Sequence, residues 1–146
     1  ALKAQRDEEA AQAALQNEKN IAILKEKITS GEVSTAIRPQ VQARHVEGTA
    51  EFERYKSQRL SKGKTPQSIL TVTMQEAQDI VDKYACTGTV TIKTPKNAPM
   101  EIREYKNVDK VVGKYYKNNA FYNTRRIIIV YAKKGAHIVP TIPKED

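Results

Sequence analysis

The stretch TMQEAQDIVDKYACTGTVTIKT, residues 73–94, contains the change of pattern that decides the fold class. It opens with Thr73 and Glu76 at the spacing of a capping box, and the apolar residues that follow recur at helical intervals. After Gly88 the sequence TVTIKT consists almost entirely of β-branched residues, which is typical of a strand. The sequence therefore predicts a helix that ends near Cys86 and a strand that begins directly after it.

Upstream of this stretch the patterns are helical. Residues 1–28 are rich in Ala, Glu, Lys, Gln and Asn and contain neither Pro nor Gly, which favours a helix. We interpret residues 1–14 as a solvated helical lead-in and residues 15–29 as a helix that packs against the domain. A further helix is predicted from its N-cap Thr49 to Gly63. Its expected apolar face consists of Phe52, Tyr55 and Leu60.

Downstream the patterns are those of strands joined by short links. After residues 89–94, the predicted strands are Met100 to Tyr105, Lys110 to Tyr116, Arg125 to Tyr131 and His137 to Thr141. Helices first and strands afterwards predict an α+β fold, with the helices on one face of a twisted antiparallel sheet of four or five strands. We expect residues 1–39 to be a lead-in or linker from a larger parent protein and residues 40–146 to form the domain.

Length and composition exclude several classes of protein. The chain has 146 residues, enough for one ordinary domain but short of the roughly 200 that two separate cores need. The longest apolar run, residues 127–131, is far below the ~18 residues of a membrane-spanning helix, so no membrane insertion is expected. The single cysteine, Cys86, excludes an internal disulfide and a cysteine-based zinc cluster.

The charge points to an anionic partner. The net charge is +8, and it is uneven: residues 1–44 carry seven basic and six acidic side chains, whereas residues 45–146 carry eighteen and eleven. A basic domain of this kind favours polyanions, nucleic acid first and acidic membrane surfaces second. The alternative interpretation is that the charge serves solubility alone.

Sequence motifs exclude most enzyme chemistry. With two histidines and one cysteine, and no H-x-x-x-H pair or clustered carboxylates, a dedicated metal centre is not expected. The glycine-rich phosphate loops and the G-x-S-x-G elbow are also missing, so we expect neither nucleotide hydrolysis nor serine-hydrolase chemistry, and no cofactor.

The two histidines are the remaining candidates for catalysis. His45 lies just before a predicted helix start, where free backbone N–H groups favour an anion, and His137 lies on the last predicted strand after two lysines. Two imidazoles can act as general base and general acid at neutral pH. With cations nearby, that pair suffices for RNA cleavage by the 2′-OH group without a metal. A surface or structural role for each histidine is the alternative.

Two segments resemble the polymorphic toxin type 50 domain: RHVEGTAEFERYKSQRLSKGKTPQSILTVTMQEAQDIVDKYACTGTV, residues 44–90, and RRIIIVYAKKGAHIVPTIP, residues 125–143. The family's motifs H-x-x-G-T-x-x-Y and Y-S-K-K-G-x-H-I-V-P are similar to residues 45–52 and 131–140 of this chain. The resemblance spans about residues 40–143. It implies a metal-independent ribonuclease with a fold similar to the barnase, EndoU, colicin and RelE nucleases. It also implies a parent that is a phage minor capsid or head protein or a secreted bacterial toxin.

Carried over by position, the resemblance assigns catalytic roles to His45, His137, Lys133 and Tyr131, with the choice of base and acid left open. Relatives read Ser-Arg-Leu-Thr where this chain reads Ser68-Ile69-Leu70-Thr71, so an arginine that could hold phosphate is missing. The expected substrate-binding residues are Thr49, Ser68, Thr71, Arg125, Arg126 and Lys134, with either arginine as the replacement phosphate clamp.

The sequence thus predicts an endoribonuclease toxin module that leaves a 2′,3′-cyclic phosphate, with RNA, tRNA included, as substrate. The alternatives are a nucleic-acid-binding module of a phage head protein without catalysis and a purely structural domain. Expected protein partners are an acidic immunity protein or phage head proteins. The expected location is the cytoplasm or a virion, with delivery into a target cell as a further setting.

Overall fold

The computed structural model describes residues 2–145. The helices are α1 (Leu2–Ser30), α2 (Pro39–Gln42), a 3-10 helix (Ala43–His45), α3 (Ala50–Ser61) and α4 (Met74–Tyr84). The strands are β1 (Ile69–Leu70), β2 (Thr89–Lys93), β3 (Glu101–Asn107), β4 (Gly113–Lys117), β5 (Ala120–Thr124), β6 (Arg126–Tyr131) and β7 (His137–Thr141). Within residues 2–145, no helix combines the length and the apolar character that a membrane-spanning segment requires.

The predicted helix starts are confirmed. The Thr49 side chain accepts a hydrogen bond from the backbone N–H of Phe52 at the start of α3. Thr73 and Glu76 form both hydrogen bonds of a capping box at the start of α4. These caps satisfy backbone N–H groups that the first helical turn leaves unpaired, so they fix where each helix begins.

Helix α1 has two differently packed halves. Residues 2–16 are exposed throughout, so the packed part begins at residue 17 rather than at the predicted residue 15. In the second half Asn17 and Asn20 bond the backbone of β2, the Asn17 carboxamide accepting from the N–H of Val90 and donating to the carbonyl of Gly88. Leu24 is fully buried beneath them. The second half of α1 thereby covers β2, an edge of the sheet that lacks a neighbouring strand.

The main sheet is antiparallel with the order β2, β3, β6, β7. Its register puts Arg103 opposite Val130, and Val130 opposite His137. Because paired residues of an antiparallel sheet share a face, these three side chains lie on one face, and their strand neighbours lie on the other. The second face packs on α1 and α4 and forms the core. The core includes Leu24, Ile80, Val81, Val90, Ile102, Ile127, Ile129 and Ile138.

A buried carboxylate lies within this core. Glu104 is fully buried and accepts hydrogen bonds from the Tyr131 hydroxyl at 2.6 Å and from the backbone N–H groups of Cys86 and Gly88. Burial and this carboxylate raise the pKa of Tyr131, so its phenol stays protonated and donates. These hydrogen bonds of Glu104 connect the turn between α4 and β2 to the middle of the sheet. In that turn Cys86 has a positive φ of 69°.

The α+β class is confirmed, and four of the five predicted strands form the main sheet as β2, β3, β6 and β7. The fifth, predicted at Lys110 to Tyr116, is β4 and lies in a second sheet of order β1, β4, β5, of which β1 and β5 were not predicted. Asn118 and Asn119 both adopt positive φ between β4 and β5, which is the geometry of a tight two-residue hairpin. Gly113 of β4 packs so closely on Pro140 of β7 that a Cβ there would clash, so the two sheets abut at this position.

Candidate active site

A cleft of about 680 Å³ lies on the face of the main sheet opposite the core. The 3-10 helix, α3 and the loop before β1 form one wall, and β4 and the end of β7 form the other. His45 and His137 both line it, with their ring centroids 6.1 Å apart and the rings nearly parallel, at 20°. The fold thus brings together two histidines that are far apart in sequence.

His45 is held by its Nδ1 atom. This atom lies 2.9 Å from the backbone carbonyl oxygen of Ser68, and the residue as a whole is 5% exposed. Because a carbonyl can only accept, Nδ1 carries the proton, and in the neutral ring Nε2 keeps its lone pair. Burial lowers the pKa of His45 and outweighs the hydrogen bond to Ser68, which raises it, and the nearby cations Arg59 and Arg44 lower it further. His45 is therefore a neutral imidazole with a defined acceptor nitrogen.

Two side chains hold the backbone around His45. The Thr49 hydroxyl lies 2.8 Å from the carbonyl oxygen of Ala43 and 2.9 Å from that of Val46, which closes the turn on either side of the histidine. The buried Gln67 amide donates to the carbonyls of Arg44 and Phe52. Thr49 thus positions the histidine turn from outside the cleft, and Gln67 ties it to the loop before β1.

His137 begins β7, and Gln42 ties that strand to the 3-10 helix. The fully buried Gln42 carboxamide accepts from the backbone N–H of Ile138 at 2.7 Å and donates to its carbonyl at 2.9 Å. Gln42 lies three residues before His45, and Ile138 directly follows His137. One side chain therefore couples the two backbone segments that carry the histidines.

The electrostatics of the cleft suit an anion. Its charged lining residues are Arg44, Arg59, Arg103 and Lys117. Across residues 2–145 no carboxylate lines it, and none forms an ion pair with these four cations. The guanidinium groups of Arg44 and Arg59 each lie 5.7 Å from the ring centre of Tyr55, which in turn contacts His45 edge-on.

The pKa of His137 reflects this environment. Burial lowers it to about 4, with further contributions from His45, Arg44 and Arg103. Two neutral imidazoles surrounded by unpaired arginines form a site that can exchange protons with a bound anion and offset its charge. Within the part of the chain that the structure describes, no three His, Cys, Asp or Glu side chains group together as metal ligands would.

Of the residues that the sequence singled out, Ser68 joins the histidines in the cleft, whereas most of the others do not. Tyr131 follows Val130, whose side chain faces the cleft, so Tyr131 points into the core and bonds Glu104. Arg126 is buried and donates to Asn107 and to the carbonyl of Lys144, beyond the cleft. The remaining candidates, Thr71, Arg125, Lys133 and Lys134, are exposed outside the cleft.

Sequence reasoning missed Arg103, Gln42 and Tyr55. Arg103 has a signal once the strands are aligned, because the register puts it in the same row as His137. Tyr55 was assigned to the apolar face of its helix, and its contacts with two arginines give it a second role. Gln42 has no local signal, since its partner is 96 residues away.

Replacing Gln42 with alanine is expected to lower the free energy of unfolding by about 2–3 kcal/mol, because both backbone groups of Ile138 lose their partner in a buried place. The matched control is Gln78→Ala. The Gln78 carboxamide makes the same two-way contact with the backbone of Ile37 and Thr35, but it is only half-buried, and a loss of about 1 kcal/mol is expected. Urea unfolding measures both; equal losses would contradict the special role of Gln42.

The low pKa of His137 makes stability depend on pH. Its pKa is about 4 in the folded chain, whereas an imidazole in the unfolded chain titrates near 6.5. Between these values the unfolded chain binds more protons, so the free energy of unfolding falls as the pH is lowered. We expect a loss of about 2 kcal/mol from about pH 7 to about pH 5.

Urea unfolding of the wild type and His137→Gln at both pH values measures this loss. The variant is expected to lose much less stability over the same range, with the remainder assigned to His45, whose pKa is also lowered. An identical pH dependence in both proteins would contradict the assignment to His137.

The chain matches the family model described as Bacterial toxin 50 over residues 37–140, which contain both histidines and every strand but the last residue of β7. No curated protein and no solved structure matches it. The family match covers well over half of the chain, from the residues that lead into α2 to Pro140 in the cleft wall. The chain therefore belongs to the Bacterial toxin 50 family.

Proposed function

We propose that this toxin domain is an endoribonuclease that uses the 2′-OH group of its substrate as nucleophile. The observation that carries the proposal is the pair of neutral imidazoles, 6.1 Å apart, in a cleft whose charged lining is entirely cationic among the described residues. A polyanion is attracted to such a cleft, and two imidazoles supply the two proton transfers that cleavage of a phosphodiester needs.

In this proposal His45 is the general base. Its Nδ1–H donates to the Ser68 carbonyl, so Nε2 is free to take the proton from the 2′-OH. The 2′ oxygen then attacks the adjacent phosphorus. The bond to the 5′ oxygen breaks, and that oxygen takes a proton from His137 as the general acid. The products are a 2′,3′-cyclic phosphate and a 5′-OH.

Arg103 and Arg44 have two functions in this scheme. Their charges offset the negative charge that builds up on the phosphate oxygens in the transition state. The same charges also help to lower the pKa of His137. A bound phosphate counteracts them and raises the pKa of that imidazole, which favours its acidic form when substrate is present.

The test is a DNA oligonucleotide with one ribonucleotide, incubated with the protein in EDTA, beside the all-DNA version. We expect cleavage only at the ribonucleotide, with a cyclic phosphate on one product. Cleavage of the all-DNA strand, or a 5′-phosphate product, would exclude attack by the 2′-OH. Intact strands that bind in a salt-sensitive way would favour the second candidate, a nucleic-acid-binding module without catalysis, because the same four cations support such binding.

We extend the proposal to a protein partner. A domain that cleaves RNA endangers the cell that makes it, and a cationic cleft is best covered by an acidic surface. We therefore propose an acidic immunity protein that occupies the cleft, together with delivery of the toxin into a target cell. Co-purification with the product of a neighbouring gene, abolished by charge-reversal variants of Arg44 and Arg59, tests the partner.

A further inference from the structure

On the β4–β5 hairpin, a pair of aromatic side chains extends from the cleft to the protein surface. Tyr115 and Tyr122 are directly opposite each other in the register, with ring centres 5.8 Å apart and a tilt of 35°. Tyr115 lines the cleft, whereas Tyr122 is 47% exposed. The exposed ring of Tyr122 and the cleft-lining ring of Tyr115 are flat apolar surfaces on which a planar ligand can stack.

The charge around this pair favours a nucleic-acid ligand. Residues 113–124 contain two lysines and three asparagines but no acidic residue. Lys117 is two positions from Tyr115, so it lies on the same face of the strand, and it also lines the cleft. Aromatic rings interleaved with lysines are the composition with which proteins bind single-stranded nucleic acid.

The other aromatic pair of the hairpin has a different role. Tyr116 and Phe121 are also opposite each other in the register and pack edge to face at 5.2 Å, and Tyr116 borders the cleft as well. The Tyr116 hydroxyl also donates to the Asn119 side chain in the turn. These contacts stabilise the hairpin itself, so Tyr115 and Tyr122 are held on a rigid support.

We infer that Tyr115 and Tyr122 form a stacking platform for an unpaired base next to the phosphate that lies between the histidines, so that the substrate is single-stranded RNA. The inference rests on the proposed function, because it assigns the platform to the same cleft. In a duplex each base is already stacked between its neighbours and is not free to lie on a tyrosine ring. Tyr115 lines the same cleft as the histidines and contacts Tyr122, an arrangement that fits a strand bound by its phosphates and by base stacking.

Binding is tested separately from cleavage, with a fluorescent 2′-O-methyl oligonucleotide that has no 2′-OH to attack. Anisotropy titrations give Kd for the single strand and for the same strand in a duplex. We expect the single strand to bind at least about 10-fold more tightly, and Tyr122→Ala to weaken that binding about 10-fold or more. Tyr122→Phe, which retains the ring, is expected to recover most of the affinity.

Two controls distinguish stacking from charge and from folding. Tyr122→Ala should leave the salt dependence of single-strand binding unchanged, whereas Lys117→Ala should lower the slope of log K against log salt by about one. Leu60→Ala removes a side chain that is similarly exposed, at 49%, but does not line the cleft, and it should bind as the wild type does. Thermal melting of each variant confirms that it is folded.

The inference is overturned if Tyr122→Ala leaves single-strand binding unchanged, if it weakens duplex binding equally, or if Tyr122→Phe is as weak as the alanine variant. An unchanged affinity combined with lost binding of an acidic protein would assign the pair to a protein interface instead. Cleavage of the ribonucleotide substrate is read independently. A protein that binds single strands through Tyr122 but leaves them intact would therefore contradict the proposed function and not the platform.

Discussion

Replacing either His45 or His137 with alanine is expected to lower the rate of RNA cleavage by about 10²- to 10⁴-fold, because each variant loses one of the two proton transfers. The two losses are not expected to multiply. Base and acid act in one concerted sequence, so the double variant should be little slower than the slower single variant. The measurement is single-turnover cleavage of the one-ribonucleotide substrate under saturating protein.

The control for the two histidine variants is Lys93→Ala, which removes a cation from an exposed position on β2 away from the cleft. It should retain wild-type cleavage, and all variants should bind the 2′-O-methyl oligonucleotide with similar Kd. Full activity in either histidine variant would remove the basis for the acid–base proposal. Loss of binding together with activity would indicate that the histidines hold the cleft in shape rather than transfer protons.

Local structure could be predicted from the sequence because its determinants are local. The capping box of Thr73 and Glu76 spans four residues and fixes the start of α4 whatever lies around it. The change at Gly88 from helical to strand composition marks the α+β order for the same reason. The missed strand β5 is exposed over most of its length and lacks the apolar alternation that identifies a half-buried strand.

The site depends on contacts between residues far apart in the chain, so less of it could be predicted from local sequence patterns. Nothing local brings His45 near His137; the register of β6 with β7 and the Gln42 contact with Ile138 do so. The alternation of side chains along a strand determines which of the other candidates reach the cleft. Tyr131 lies in the most recognisable motif of the chain, yet it directly follows the cleft-facing Val130 and so faces the core.

We propose that Arg103 supplies the phosphate contact of the arginine that the Ser68–Thr71 segment is expected to lack. Arg103, Val130 and His137 lie in one row across three strands, and Arg103 is exposed on that face of the sheet. The sequence-based candidates for the phosphate clamp, Arg125 and Arg126, lie at the other end of β6, where Arg126 holds Asn107 and the carbonyl of Lys144. We therefore assign the phosphate contact to Arg103.

Arg103→Ala is accordingly expected to lower kcat/KM by about 10²- to 10³-fold, the loss typical of removing one group that stabilises transition-state charge. Arg103→Lys should recover only part of it, because an ammonium group cannot bind phosphate through two parallel hydrogen bonds. A larger loss from Arg125→Ala than from Arg103→Ala would instead favour the sequence-based assignment.

Titration of the His137 ring protons by NMR supplies a second, independent measurement. Because the Arg103 charge lowers the pKa of His137, the alanine variant should titrate at higher pH even without substrate. The pH at which cleavage is fastest should then rise in the same direction, since the acid form of His137 persists to higher pH. A variant that loses activity with no change in the His137 pKa would mean that Arg103 acts at a distance from the histidines, and the row of residues across the sheet would no longer define the phosphate site.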